Sequence, residues 1–161
     1  MAFERPKIPV HRFVAERDKA FAPDTSTGFI ELDLRKSLDF EFTGTTPLLQ
    51  LRFARIRQGE TLKSSFNAST ESIYVIRGRG QSQKAGDRIE WAEGDVFCFP
   101  GGGITTHESQ EDSILLVVTN DPLLAFEHAR APIVRESPFQ AVHYPAEEIR
   151  CFRHQLLIGA G

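Results

Sequence analysis

A chain of 161 residues suits one domain, and 40% hydrophobic with 25% charged residues is ordinary for a globular protein that buries its own core. The formal charge of −3, with no basic run longer than two residues, excludes a nucleic-acid surface built on positive charge. No stretch of about 18 apolar residues occurs, which excludes a helical membrane span, and the charge- and proline-broken start MAFERPKIPVHRF is no secretory leader, so a cytoplasmic location is expected.

Residues 1–27 read as an N-terminal arm, interrupted by Pro6, Pro9 and Pro23, with a short helix over His11–Phe21 and turn chemistry at Asp24–Gly28. Gly28–Leu34 alternates, with Ile30, Leu32 and Leu34 on one face, and predicts a half-buried strand. Phe40 and Phe42 alternate around Glu41 in the same way. Pro47–Arg57 places Leu49, Leu51, Phe53, Arg55 and Arg57 on one face and Leu48, Gln50, Arg52, Ala54 and Ile56 on the other. Neither face is purely polar, as in a strand covered on both sides.

The stretch from Gly59 to Ser109 then gives consecutive antiparallel strands. Ile73–Ile76 and Val96–Phe99 are apolar runs closed by glycine-containing turns, and Gly80–Ala92 forms a hairpin with Ala85-Gly86-Asp87 at its tip. Ser113–Val118 is a continuous apolar strand ended by Thr119–Pro122. Residues 132–143, with Pro132 and Pro138, read as irregular. Pro145–Leu157 predicts a helix: proline suits its first turn, Glu147 and Glu148 its positive end, and Arg150, Arg153 and His154 its negative end. Ile149, Phe152 and Leu156 make its apolar stripe. Cys98 and Cys151 are expected to be reduced thiols, and thirteen phenylalanines predict an aromatic-packed interior.

The spacing within Gly59–Ser109 resembles the two-part signature of the cupin superfamily. Gly59, Ser65, Asn67, Glu71 and Gly78 fall on the glycine, paired-histidine, glutamate and glycine positions of its first motif. Gly94, Pro100 and Gly102 fit its second motif, whose histidine position holds Thr105, with His107 two residues later. The segment Pro122–Glu127 (PLLAFE) and the short loop between the motifs resemble the gentisate-dioxygenase-like members. The resemblance implies an all-β fold, a double-stranded β-helix (jelly-roll) barrel over 28–131. The N-terminal arm, 1–27, precedes it, and a C-terminal extension with a short helix, 132–161, follows. It also implies a homodimer, the arm packing on a second subunit.

In such cupins two histidines, a glutamate and a third histidine hold one divalent metal, of the kind imidazole and carboxylate suit: Fe, Mn, Ni or Zn. Here Ser65 and Asn67 replace the histidine pair, and both are weak donors. Glu71 and His107 are the candidate catalytic residues, and they are the only candidate metal ligands. A structural alternative for Glu71 is an ion pair with Arg55 or Arg57. A two-residue shift moves a side chain about 6.6 Å along a strand. His107 therefore reaches the family position only if the glycine run at 101–103 bulges; otherwise Thr105 faces the cavity.

Strand parity read from the motif anchors adds Phe53, Arg55 and Phe99 to Ser65, Asn67 and Thr105 as candidate ligand-binding residues. An aromatic pocket with a guanidinium suits a small anionic or aromatic molecule. Three readings stay open: a cupin binding a small molecule without the usual metal set, either as a binding module or as a metal-free isomerase or lyase; a metalloenzyme, dioxygenase-like or isomerase-like, with a rebuilt site; and a structural dimer whose pocket its own side chains fill.

Overall fold

Runs of alternating apolar residues separated by glycine turns build two antiparallel sheets in the computed structural model, which describes residues 10–133 and 136–151. The strands are β1 (Gly28–Glu31), β2 (Gln50–Ile56), β3 (Thr61–Ser64), β4 (Thr70–Arg77) and β5 (Arg79–Lys84). They continue as β6 (Asp87–Ala92), β7 (Val96–Pro100), β8 (Thr105–Ser109), β9 (Ser113–Thr119) and β10 (Val142–Tyr144). One sheet runs β1-β2-β9-β4-β7-β10 and the other β3-β8-β5-β6. Strands distant in sequence are neighbours, as in a jelly roll, and the all-β barrel expected from the motif spacing is present.

The core lies between the sheets. Ala54, Ile56, Ile73, Val75, Phe97, Phe99, Leu115 and Val117 face inward from the six-stranded sheet, and Ile89 and Trp91 from the other. Each fully buried large side chain contributes roughly 1.5–3 kcal/mol. Trp91 stacks on Phe97 at 6.3 Å between centroids, and Phe97 meets Phe99 edge to face at 5.9 Å. The β5–β6 hairpin turns through Ala85 and Gly86, both at positive φ (51° and 103°), a conformation glycine adopts without strain.

Helix α1 (Val14–Phe21) lies on the outside of the six-stranded sheet, burying Ala20 against Ile30, Ile114 and Phe53. Two segments differ from the sequence reading. Phe40 and Phe42 belong to no strand: helix α2 (Arg35–Leu38) ends at Asp39 with φ 55°, and Leu34 N–H donates to Gly44 O, so the segment folds back on itself. The end of the stretch 132–143, read as irregular, instead continues with Tyr144 into β10 and adds to the sheet edge at β7, with Val142 opposite Cys98. Helix α3 (Asp121–Phe126) follows β9 with proline in its first turn.

Residues 146–151 are helical, while Phe152, Arg153, His154 and Leu156 of the expected stripe lie outside the described residues. Asp95 anchors this C-terminal helix, accepting Ala146 N–H at 2.7 Å and His143 Nε2 at 3.0 Å. Burial would raise the Asp95 pKa, but hydrogen bonds from the Ala92 and Ala146 amides and from His143 outweigh it and hold the carboxyl below its ordinary range. Cys98 and Cys151 are free thiols, Cys98 half-buried and Cys151 exposed. Among the described residues no helix is long and apolar enough to cross a membrane.

Candidate functional site

Between the sheets, a polar cluster interrupts the apolar core. Strand alternation carries Glu71 inward from β4, Ser82 and Lys84 from β5, Thr105 and His107 from β8, and Ser64 from β3; none is more than 4% exposed. Register fixes their proximity: Ser82 lies opposite His107, and Ser64 opposite Thr105. Glu71 is saturated. Its Oε1 accepts from Lys84 Nζ at 2.7 Å, and its Oε2 accepts from Thr105 Oγ1 at 2.9 Å and Ser64 Oγ at 3.3 Å. Both members of the ion pair have fully buried side chains. Isolated, either charge would face a desolvation penalty of several kcal/mol. The expected ion pair of Glu71 with Arg55 or Arg57 is not formed: Lys84 is its partner, Arg55 bonds Asp112 at 2.6 Å, and Arg57 donates to Pro23 O.

His107 is held by a short relay. Trp91 Nε1–H donates to Ser82 Oγ at 2.8 Å, and Ser82 Oγ lies 2.7 Å from His107 Nδ1. Indole nitrogen is a donor only, so the serine oxygen already accepts. Ser82 and His107 therefore share one proton along this contact: donated by the serine hydroxyl it leaves the ring proton on Nε2, and donated by Nδ1 it leaves Nε2 its lone pair. Nε2 is buried without a partner among the described residues. Burial, reinforced by the charge of Lys84, lowers the His107 pKa to about 4, so the ring is neutral at pH 7. Gly80 makes room for this relay, because a Cβ there would sit 2.7 Å from the Trp91 ring.

The structure distributes the other candidates over three places. Phe99 and Thr105 lie inside the barrel with Glu71 and His107. Phe53 and Arg55 do not. They lie on the opposite face of β2 from Ala54 and Ile56, with Phe53 packed on Ile30 and Ile114 toward α1. Parity was inverted because β2 buries arginine on both faces: Arg52 by Glu31 and Asp121, Arg55 by Asp112. Ser65 and Asn67 lie just past the end of β3 and are exposed; the inward residue is their neighbour Ser64.

Ser65 and Asn67 line a groove of about 480 Å³ together with Arg35, Phe42, Phe66 and Asp121. Asn67 spends both amide atoms on the 129–131 segment, donating to Ala129 O and accepting from Ala131 N–H, so it is a wall of the groove. Behind the groove the Arg52 guanidinium lies 4.2 Å from the Phe66 ring centroid and bonds Glu31, Thr119 and Asp121. Lys84, Ser82 and Ser64 were missed by sequence reasoning. Alternation along GQSQK puts Ser82 and Lys84 on one face, yet a lysine beside a hairpin tip reads as solvated.

No family model matches the chain. A gentisate 1,2-dioxygenase of Haloferax sp. is 34% identical over 83 residues, which are 50% of this chain and 23% of that enzyme. The salicylate 1,2-dioxygenase of Pseudoaminobacter salicylatoxidans, in its adducts with gentisate, superposes with a TM-score of 0.55 at 18% identity over 67% of this chain and 28% of that one. A mutant of the same enzyme in complex with gentisate gives a TM-score of 0.60 at 14% identity, over 73% and 35%. The fold is that of a cupin. The aligned part thus spans between 23% and 35% of the length of these relatives.

Within the cupin barrel, the donors around Glu71 do not fit a divalent metal. A cation bound there would have to displace an ammonium already 2.7 Å from the carboxylate. It would also need an imidazole lone pair, and Nδ1 of His107 is taken up by Ser82 at 2.7 Å. Ser64 and Thr105 offer only hydroxyls, neutral and weakly basic. Among the described residues no group of three or more His, Cys, Asp and Glu side chains converges.

Proposed function

We propose that this chain is a cupin that binds a small anionic or aromatic organic molecule without a metal ion, in the groove beside Ser65 and Asn67. The observation that carries this reading is the Lys84–Glu71 pair: the carboxylate that would hold a metal is neutralised by the protein's own ammonium. The groove offers open space instead: Phe42 and Phe66 supply aromatic surface, and exposed Ser65 lies in its wall. Arg35 is bonded through Nε to Asp33, which orients its guanidinium at the rim. Terminal guanidinium nitrogens suit a carboxylate, and the rings suit a planar body.

Salicylate and gentisate, the compounds named with the relatives, are the first probes. Titration calorimetry on chelator-treated protein should show binding, and Arg35→Ala should weaken it by about tenfold, the loss of one charge-assisted contact. Near-stoichiometric iron, manganese, nickel or zinc in protein purified without chelators, or binding abolished by chelation, would overturn the reading.

One observation favours a second reading, a metal cupin with Glu71 and His107 as its ligands: Nε2 of His107 is buried and has no partner among the described residues. That reading requires the ring proton to sit on Nδ1 and Lys84 to withdraw. His107→Ala should then abolish the metal content, and an unchanged content eliminates it.

A further inference from the structure

We propose that the groove beside Ser65 and Asn67 takes an aromatic amino acid, a zwitterion whose carboxylate meets Arg35, whose ammonium meets Glu41 and whose ring lies on Phe42 and Phe66. The inference rests on the groove reading given above and names the class of molecule the groove selects. Arg35, Glu41 and Asp121 all line the groove, so its wall carries charges of both signs. Acids are in excess there. Two guanidinium groups, Arg35 and Arg52, stand against four carboxylates, Asp33, Glu31, Asp121 and Glu41. A ligand that brings only negative charge adds to that excess, whereas one that brings an ammonium with its carboxylate does not.

Partner by partner, one group of each sign is left for the ligand. Arg52 is buried and each of its nitrogens already donates, to Glu31 at 2.8 Å, to Thr119 at 2.6 Å and to Asp121 at 2.5 Å. Asp121 is thereby taken up by Arg52 and Thr119. Arg35 is exposed and spends Nε on Asp33, which leaves its terminal nitrogens. Glu41 is exposed and has neither a hydrogen bond nor an ion pair among the described residues. One turn presents both groups: α2 ends at Asp39 in the left-handed conformation, and Phe40 N–H donates to Arg35 O at 2.9 Å. Opposite charges borne on a single carbon match that arrangement. The ring has a fixed platform, since Phe66 lies 4.2 Å from the Arg52 guanidinium and meets Phe29 edge to face at 5.4 Å. An aromatic wall already held in place binds a second ring without an ordering cost.

The experiment titrates the chelator-treated full chain with L-phenylalanine, 3-phenylpropionate and phenethylamine, which share one skeleton and differ only in the charges they carry. Calorimetry should show L-phenylalanine binding wild type about fivefold more tightly than either of the others, the size of one well-placed exposed charge contact. Glu41→Gln should bring L-phenylalanine down to the affinity of 3-phenylpropionate without weakening the latter. Glu41→Lys should reverse the order, so that 3-phenylpropionate becomes the tighter of the two. Arg35→Ala should weaken both carboxylates and spare phenethylamine. Both positions are exposed, and unchanged circular dichroism spectra verify that the variants keep the fold.

Equal affinities of wild type for L-phenylalanine and 3-phenylpropionate overturn the proposal, and so does a preference for L-phenylalanine that survives Glu41→Gln and Glu41→Lys. In either case, binding of the plain acids that is weakened by Arg35→Ala leaves the groove reading standing. Failure of salicylate, gentisate and all three probes to bind sinks the groove reading and the proposal with it.

Discussion

At the scale of single residues, the fold has solved one problem: an acid in the middle of a β-barrel. Glu71 is neutralised by Lys84, and its second oxygen by two hydroxyls. A buried pair of this kind is weak evidence for stability as such, but removing one partner strands the other. Lys84→Met should therefore lower the unfolding free energy by about 3–5 kcal/mol, and Glu71→Gln by a similar amount. The double variant should recover most of that loss, because methionine fills the lysine's space and glutamine still accepts from Ser64 and Thr105. Urea denaturation of the three variants checks this; additive losses in the double variant would mean that the two charges do not interact. Glu71 was legible in the sequence from its motif spacing. Its partner was not, since GQSQKAGD reads as a polar hairpin, and nothing local tells that Gln83 faces solvent while Lys84 points inward.

At the scale of elements, the turns were legible and the strand faces only in part. Glycine positions marked the hairpins because positive φ is cheap only for glycine. Gly78 is the clearest case: its φ is +94°, and a Cβ there would collide with the Ser113 hydroxyl and lie 2.9 Å from Ser113 Cα. Gly78→Ala should cost about 2–4 kcal/mol by denaturant melting, combining backbone strain with a steric clash. Gly28→Ala, with nothing within 4 Å of the new Cβ, should stay within about 0.5 kcal/mol of wild type. Equal losses at the two positions would remove the argument.

Strand β2 shows where pattern reading fails. Its inward row contains Arg52 and its outward row Phe53, so hydrophobicity alone points the wrong way. Long-range carboxylates, Glu31, Asp121 and Asp112, make those arginines buriable, and they lie 21 to 69 positions away. The one-residue difference between Ser65 and Ser64 has the same origin: β3 ends at Ser64, and strand ends are set by pairing with β8 rather than by local sequence.

At the scale of the whole molecule, the buried polar cluster ties stability to pH. In the folded protein His107 has a pKa of about 4, against an ordinary value of 6.5, because burial and the charge of Lys84 both oppose its protonation. Between those values the unfolded chain binds a proton that the folded chain refuses. Stability therefore rises with pH through the window from about 4 to 6.5 and falls on acidification. From pH 7 to pH 4 this one ring should withdraw on the order of 3 kcal/mol, at about 1.4 kcal/mol per pH unit within the window. Asp33, Asp95 and Asp112, whose carboxyls are held below their ordinary range, and Glu31, raised mainly by burial, also titrate in acid.

The measurement that isolates the histidine is the difference in unfolding free energy between wild type and His107→Gln, taken by urea titration at several pH values. Contributions common to both chains cancel, and the difference should move against wild type as pH falls to 4. Lys84→Met should shrink that movement, because it removes the charge that reinforces burial, whereas Arg88→Met, on the exposed β6 rim, should leave it unchanged. A flat difference across the window would mean that His107 takes up its proton inside the barrel, and with it the neutral ring would have to be given up.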